Sequence, residues 1–121
     1  MGAVLREIVI DCLEPSRVAR FWGQVLGWDV QEQDDYFWMS ASGQPFPDMT
    51  LVFAPVPEEK TVKDRIHLDV SPVGCDQAEE VARILDLGAT RVDVGQGDSP
   101  WVVLADPEGN EFCVLRRRAD V

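Results

Sequence analysis

Hydrophobic and polar positions alternate along residues 4–12, VLREIVIDC, with Ile8, Ile10 and Cys12 on one side and Glu7, Val9 and Asp11 on the other. This is the period-two pattern of a strand that buries one face. From Pro15 the period lengthens: Val18, Phe21, Trp22, Val25 and Leu26 form a stripe at helical spacing, Pro15 suits the first helical position, and Gly27 suits the C-terminal cap. Three strand-like runs follow, at 28–33 (WDVQEQ), 36–41 (YFWMSA) and 49–56 (MTLVFAPV). The stretch 57–64, PEEKTVKD, carries a proline and no apolar period, and reads as a connector.

The order then restarts. Residues 65–70 (RIHLDV) read as a strand, Asp76 followed by Glu79 as a capping-box-like helix start, and Ala78, Val81, Ala82 and Leu85 as the buried stripe of a second helix that Gly88 closes. Strands are predicted at 90–96, 101–105 and 111–116. Both halves are therefore β-α-β-β-β, a repeat of about 60 residues. The chain is predicted to be one α+β domain, 1–121, made of βαβββ units at 1–56 and 65–118 joined by the connector.

Such a unit covers one sheet face with its helix and leaves the other to a second copy or a ligand. That other face carries Glu7, Val9 and Asp11 in the first unit and His67, Asp69 and Ser71 in the second. Glu111, Cys113 and Leu115 join them if Phe112 and Val114 face the helix. Polar groups stand there at low cost only if the face meets water or a bound group, so a wet cleft is expected. Tyr36 and Trp38 share one side of their strand and, with Phe53 and Trp101, are expected to give the cleft an apolar part suited to a flat ligand. Trp22 belongs to the helix stripe and the core. Lys60, Lys63 and Arg65 are either solvated or placed to meet an anionic group at the cleft mouth.

Charge narrows the partners. Eleven basic against twenty-two acidic side chains give a net charge of -11, which opposes nucleic acid and anionic lipid surfaces. No apolar run reaches the roughly 20 residues of a membrane span, and the N-terminal residues lack the order of a secretion signal, so a cytoplasmic protein with reduced thiols is expected. Cys12, Cys75 and Cys113 are odd in number and far apart, which fits neither a disulfide framework nor a CxxC metal clip. Cys12 and Cys75 are assigned no chemistry.

The paired units, together with RFWGQVLGW at 20–28, KTVKDRIHLDV at 60–70 and ADPEGNEFCVL at 105–115, resemble the glyoxalase, bleomycin-resistance and dioxygenase group, the vicinal oxygen chelate superfamily, and within it a glyoxalase-like subgroup common in actinobacteria. The resemblance spans nearly the whole chain. It implies a curved, cup-shaped mixed sheet with the helices on its outer face, and a homodimer. It also implies metal ligands at the start of the first strand and on the last strand of each unit. Carried over by position, these are Glu7 and His67, with Cys113 where a glutamate is usual and no ligand near Leu51 or Phe53.

That departure favours a cleft without catalytic metal, one that binds or sequesters a small organic or aromatic ligand through Glu7, His67, Asp69, Tyr36, Trp38, Phe53, Trp101, Glu111 and Cys113. His67 and Glu7 are the candidate acid–base pair, with the carboxylate raising the histidine's pKa. The alternative is a divalent-metal lyase, isomerase or dioxygenase with zinc, nickel, manganese or iron on Glu7, His67 and Cys113.

Overall fold

The computed structural model describes residues 2–41 and 49–120. Two compact units divide the chain, Met1–Glu59 and Lys60–Val121. The connector is therefore split: Pro57–Glu59 belongs to the first unit and Lys60–Asp64 to the second.

The first unit runs β1 (Glu7–Cys12), α1 (Pro15–Leu26), β2 (Gln31–Gln33), β3 (Tyr36–Ser40) and β4 (Thr50–Pro55). Its sheet has the order β1-β4-β3-β2, with β1 parallel to β4 and the other pairs antiparallel. Helix α1 lies against β1, β3 and β4. The predicted stripe is the buried one, with Val18, Phe21, Trp22 and Val25 packed over Cys12, Met39, Leu51 and Phe53. Phe21 and Trp22 meet edge to face at a ring separation of 5.4 Å. Gly27 ends the helix in the left-handed region at φ 71°, where a side chain would be strained, and its N–H closes on the Gly23 carbonyl.

The second unit repeats the order: β5 (Leu68–Val70), α2 (Gln77–Asp86), β6 (Thr90–Arg91), β7 (Val102–Ala105) and β8 (Glu111–Val114). Its sheet is β5-β8-β7-β6, again with the first and last strands parallel. Asp76 caps α2 by accepting from the Glu79 N–H at 2.9 Å, as the capping-box spacing predicts. The buried stripe differs from the predicted one. Ala78 and Ala82 are exposed, Leu85 is half-buried, and the helix buries Glu80, Val81 and Ile84. Glu80 is tolerated inside because the Arg83 guanidinium holds it at 2.7 and 2.8 Å.

The strand predicted over 90–96 shortens to two residues. Beyond it Gly95 and Gly97 take positive φ, and the Asp93 carboxylate accepts from the Gly95 N–H, so the chain turns instead of pairing. The DPEGN turn before β8 is built around buried Asp106. Its carboxylate accepts from the N–H groups of Glu108 and Asn110 and from the Asn110 side-chain amide, at 2.9–3.0 Å. Among the described residues no helix is long and apolar enough to cross a membrane, and no cysteine forms a disulfide.

Candidate functional site

Register assigns each side chain to a face, because strand partners point the same way. In the second sheet Leu68 pairs with Phe112 and Val70 with Val114, and Phe112 and Val114 are fully buried. Asp69 pairs with Cys113, and Cys113 with Val103, on the face turned away from α2. His67, two residues before Asp69, shares that face. The alternation expected from sequence holds.

The face is not uniformly wet. Strand β5 lies at the edge of its sheet, and the side chains of His67 and Asp69 are 44% and 47% exposed. Strands β8 and β7 lie inside it, and Cys113, Val103 and Ala105 are all buried there. A polar edge therefore borders a dry centre. His67 Nδ1 stands 3.2 Å from Asp69 Oδ1 and 3.9 Å from Cys113 Sγ. One donor atom from each of the three residues falls within 4.8 Å of the others. Burial pushes the Cys113 thiol pKa up, and the charge of Asp69 together with a hydrogen bond to that carboxylate pushes it further, against a smaller opposing pull from Lys63. The sulfur is thus held as a thiol.

Glu111 follows a different path on the same face. Its carboxylate, 11% exposed, accepts from Lys60 Nζ at 2.9 Å and from the Asp64 N–H at 3.1 Å. Burial alone would raise its pKa, but Lys60 and the Asp64 amide outweigh burial and hold it below the ordinary value. Burial, and then the charge of Glu111, raises that of Asp64. Lys60 and Asp64 were missed as partners of this site. The basic cluster at 60–65 was the available signal; the sequence reading has it solvated or facing an anionic group at the cleft mouth, whereas Lys60 neutralises the chain's own carboxylate.

In the first sheet the face away from α1 carries Glu7, Val9 and Asp11, all exposed, paired with Thr50, Val52 and Ala54. Trp38 pairs with Val52, so Val9, Val52 and Trp38 form an apolar row where the second sheet has Asp69, Cys113 and Val103. Val52, and neither Leu51 nor Phe53, stands at the position of Cys113. The placement of Phe53 with Tyr36 and Trp38 is corrected: Phe53 pairs with Ile10 and Phe37, is 0% exposed, and belongs to the core under α1. Tyr36 and Trp38 do share the uncovered face, 50% and 37% exposed. Trp38 borders a hollow of ≈ 340 Å³ with Trp28, Gln31 and Ser40. Trp101 borders another, of ≈ 490 Å³, with Arg91, Asp93 and Gln96. Val103, the partner of Cys113, also lines that second hollow.

The family model for the glyoxalase-like domain matches residues 7–115. The chain belongs to that family. No curated protein sequence matches it, but solved structures share its fold at low identity. The fosfomycin resistance protein FosX from Mesorhizobium loti superimposes with a TM-score of 0.70 at 13% identity, covering 98% of this chain and 96% of that one. A FosX variant from Listeria monocytogenes, solved with Mn(II) and 1S,2S-dihydroxypropylphosphonic acid, gives 0.68 at 13% identity over 100% and 93%. A glyoxalase/bleomycin resistance/dioxygenase family enzyme from Burkholderia phytofirmans gives 0.64 at 18% identity over 93% and 97%. The likeness to the vicinal oxygen chelate superfamily is borne out.

The donors of this glyoxalase-like domain bear on the metal question. One imidazole, one carboxylate and one sulfur suit an ion of the zinc class, whereas manganese and magnesium prefer oxygen donors. The three side chains therefore fit a divalent ion, though not one with manganese's preferences.

Proposed function

We propose that this glyoxalase-like domain binds a small organic molecule on the sheet face of its second unit that α2 leaves uncovered, with His67 and Asp69 as the polar recognition centre. The observation that carries this reading is the half-exposed His67–Asp69 pair beside buried Cys113, on a face no helix covers. At the edge strand the imidazole has one nitrogen near a carboxylate. That arrangement orients the ring and lets the histidine accept or donate a proton to a ligand at its other nitrogen.

A second reading, a metal-dependent lyase, isomerase or dioxygenase, is supported by the convergence of three donor atoms within 4.8 Å. In that case His67, Asp69 and Cys113 would hold the ion, which would polarise a substrate oxygen.

Thermal-shift screening with aromatic antibiotics, thiol adducts and small diketones tests the ligand reading. A ligand at a hundredfold excess over its Kd stabilises by about 2.7 kcal/mol, a shift of several degrees in a chain of this size. The shift should shrink in His67→Ala and in Asp69→Ala. No shift from any class, or shifts that both variants retain in full, would refute it.

A further inference from the structure

We infer that the hollow beside Trp101 is a binding site for a small organic cation, a protonated amine carried on a flat apolar body. The inference goes beyond the reading centred on His67 and Asp69. Neither of those residues lines this hollow, so the two stand or fall separately.

The hollow exists because the chain stops pairing. Strands β6 and β7 stay in register one residue past Arg91, where the Val92 N–H donates to the Val103 carbonyl at 3.3 Å. Gly95 and Gly97 then take positive φ, and residues 93–100 turn instead of pairing with β7. The space left is ≈ 490 Å³, well within the roughly 300–1,000 Å³ of small-molecule sites. Val92, Val102 and Val103 give it an apolar part, and Trp101 stands beside them.

Side chains brace the loop that forms it. Gln96 Oε1 accepts from the Val94 N–H at 2.8 Å, the Asp93 carboxylate accepts from the Gly95 N–H at 2.8 Å, and Ser99 Oγ donates to the Trp101 carbonyl at 2.9 Å. From α2, Gln77 Nε2 donates to the Pro100 and Val114 carbonyls, both at 2.9 Å, which ties the residue before Trp101 to β8. Trp101 is nonetheless 41% exposed. An open indole on a backbone fixed at both sides is surface prepared for a ligand, because little conformational freedom is left to lose on binding.

Charge chooses the ligand. The lining carries two carboxylates, Asp93 and Asp98, against one guanidinium, Arg91, in a chain of net charge -11. An anion meets this surplus as repulsion. A cation is drawn in by the field of the whole chain and attracted to the indole face by the ring quadrupole. Asp98 is its counter-charge: among the described residues its carboxylate accepts no hydrogen bond, whereas that of Asp93 is engaged by the Gly95 N–H. The flat body then packs on Trp101 and the valines.

The test is isothermal titration calorimetry of the full chain at pH 7 and about 0.05 M sodium chloride, where screening is weak, with three probes of matched size: tryptamine (cation), tryptophol (neutral) and indoleacetate (anion). Tryptamine should bind most tightly, tryptophol about twofold to fivefold more weakly, and indoleacetate most weakly of the three. Trp101→Ala should weaken tryptamine binding about threefold to tenfold. Asp98→Asn should bring tryptamine down to the level of tryptophol, and Arg91→Gln should tighten tryptamine binding, an effect that loss of a merely structural residue would not give. His67→Ala should bind tryptamine as the parent does. Should Trp101→Ala misfold by circular dichroism, the substitutions at exposed Asp98 and Arg91 carry the test. No tryptamine binding to the parent, tryptophol binding as tightly as tryptamine, full affinity in folded Trp101→Ala, an unchanged tryptamine-to-tryptophol ratio in Asp98→Asn, weaker tryptamine binding in Arg91→Gln, or its loss in His67→Ala would each overturn the inference.

Discussion

Glu111 shows how one side chain can be taken out of a site by its neighbours. It stands two positions from Cys113 on the same face, yet its two oxygens are occupied by Lys60 and the Asp64 amide, which pins residues 60–64 onto β8. Removing the cation leaves a nearly buried carboxylate without its counter-charge. We expect Lys60→Met to cost about 1–3 kcal/mol in urea unfolding at pH 7. The pH dependence has a definite sign. The folded-state pKa of Glu111 lies below its usual 4.5, so its contribution is present above about pH 4.5 and is lost as the pH falls through the folded value. Asp64 acts oppositely: its folded pKa is raised above 3.8, so its ionisation opposes folding at higher pH and its protonation partly offsets the acid loss. Glu111→Gln should therefore flatten the acid limb of the stability curve. An unchanged limb would show that the Lys60–Glu111 pair contributes nothing to it.

Among the elements both helices were legible, but the buried face was read correctly for α1 and only in part for α2, and the difference is chemical. Every buried position of the α1 stripe is apolar, so the letters themselves trace the period. In α2 the buried stripe runs through Glu80, whose charge is neutralised by Arg83, while Ala78 and Ala82, small enough to sit anywhere, point outward. Hydrophobic periodicity cannot see a carboxylate made tolerable by a partner three residues away. What periodicity also missed in α1 is Gly23, a mid-helix residue that intrinsic propensity disfavours. It is needed because the chain folds back over it: the carbonyl accepts from the Trp28 N–H at 3.0 Å, and a Cβ would lie 2.8 Å from Val30 Cγ2 and 3.1 Å from the Trp28 carbonyl oxygen. Gly23→Ala gains up to about 1 kcal/mol of helix propensity but overpacks against backbone that cannot retreat without breaking that hydrogen bond, a cost of about 1–3 kcal/mol. We expect net destabilisation of about 1–2 kcal/mol in chemical denaturation. A variant as stable as the parent would show that Val30 and the 27–30 turn yield freely.

At the scale of the whole chain, the repeat was the most legible feature. Spacing of strand, helix and glycine cap that matches to within one inserted residue announced two units, and the observed strand orders, β1-β4-β3-β2 and β5-β8-β7-β6, are the same arrangement twice. Alternation placed His67, Asp69, Glu111 and Cys113 on one face, and the register pairs Asp69 with Cys113 while Glu111 stands two residues before Cys113 on β8. It did not reveal that β5 is an edge strand and β8 an interior one, so the wet His67–Asp69 pair and dry Cys113 looked alike in sequence. Nor did it fix the register that sends Phe53 into the core.

Charge also acts at this scale. With a net charge of -11, the folded chain gathers like charges that the unfolded chain spreads apart, and this repulsion opposes folding. Salt screens it, with a Debye length that falls from about 10 Å at 0.1 M to about 3 Å at 1 M. The same salt weakens the exposed Glu14–Arg17 and Arg118–Asp120 pairs, but such pairs contribute little each, and the Lys60–Glu111 pair is shielded by burial. The excess of acids therefore decides the sign: melting temperature should rise as sodium chloride goes from 0.05 to about 0.5 M, with chloride chosen because sulfate would stabilise any fold by exclusion. A melting temperature that falls over this range would mean that attractive pairs outweigh the net repulsion, and the acidic surplus would then have to be distributed too widely to act on the fold.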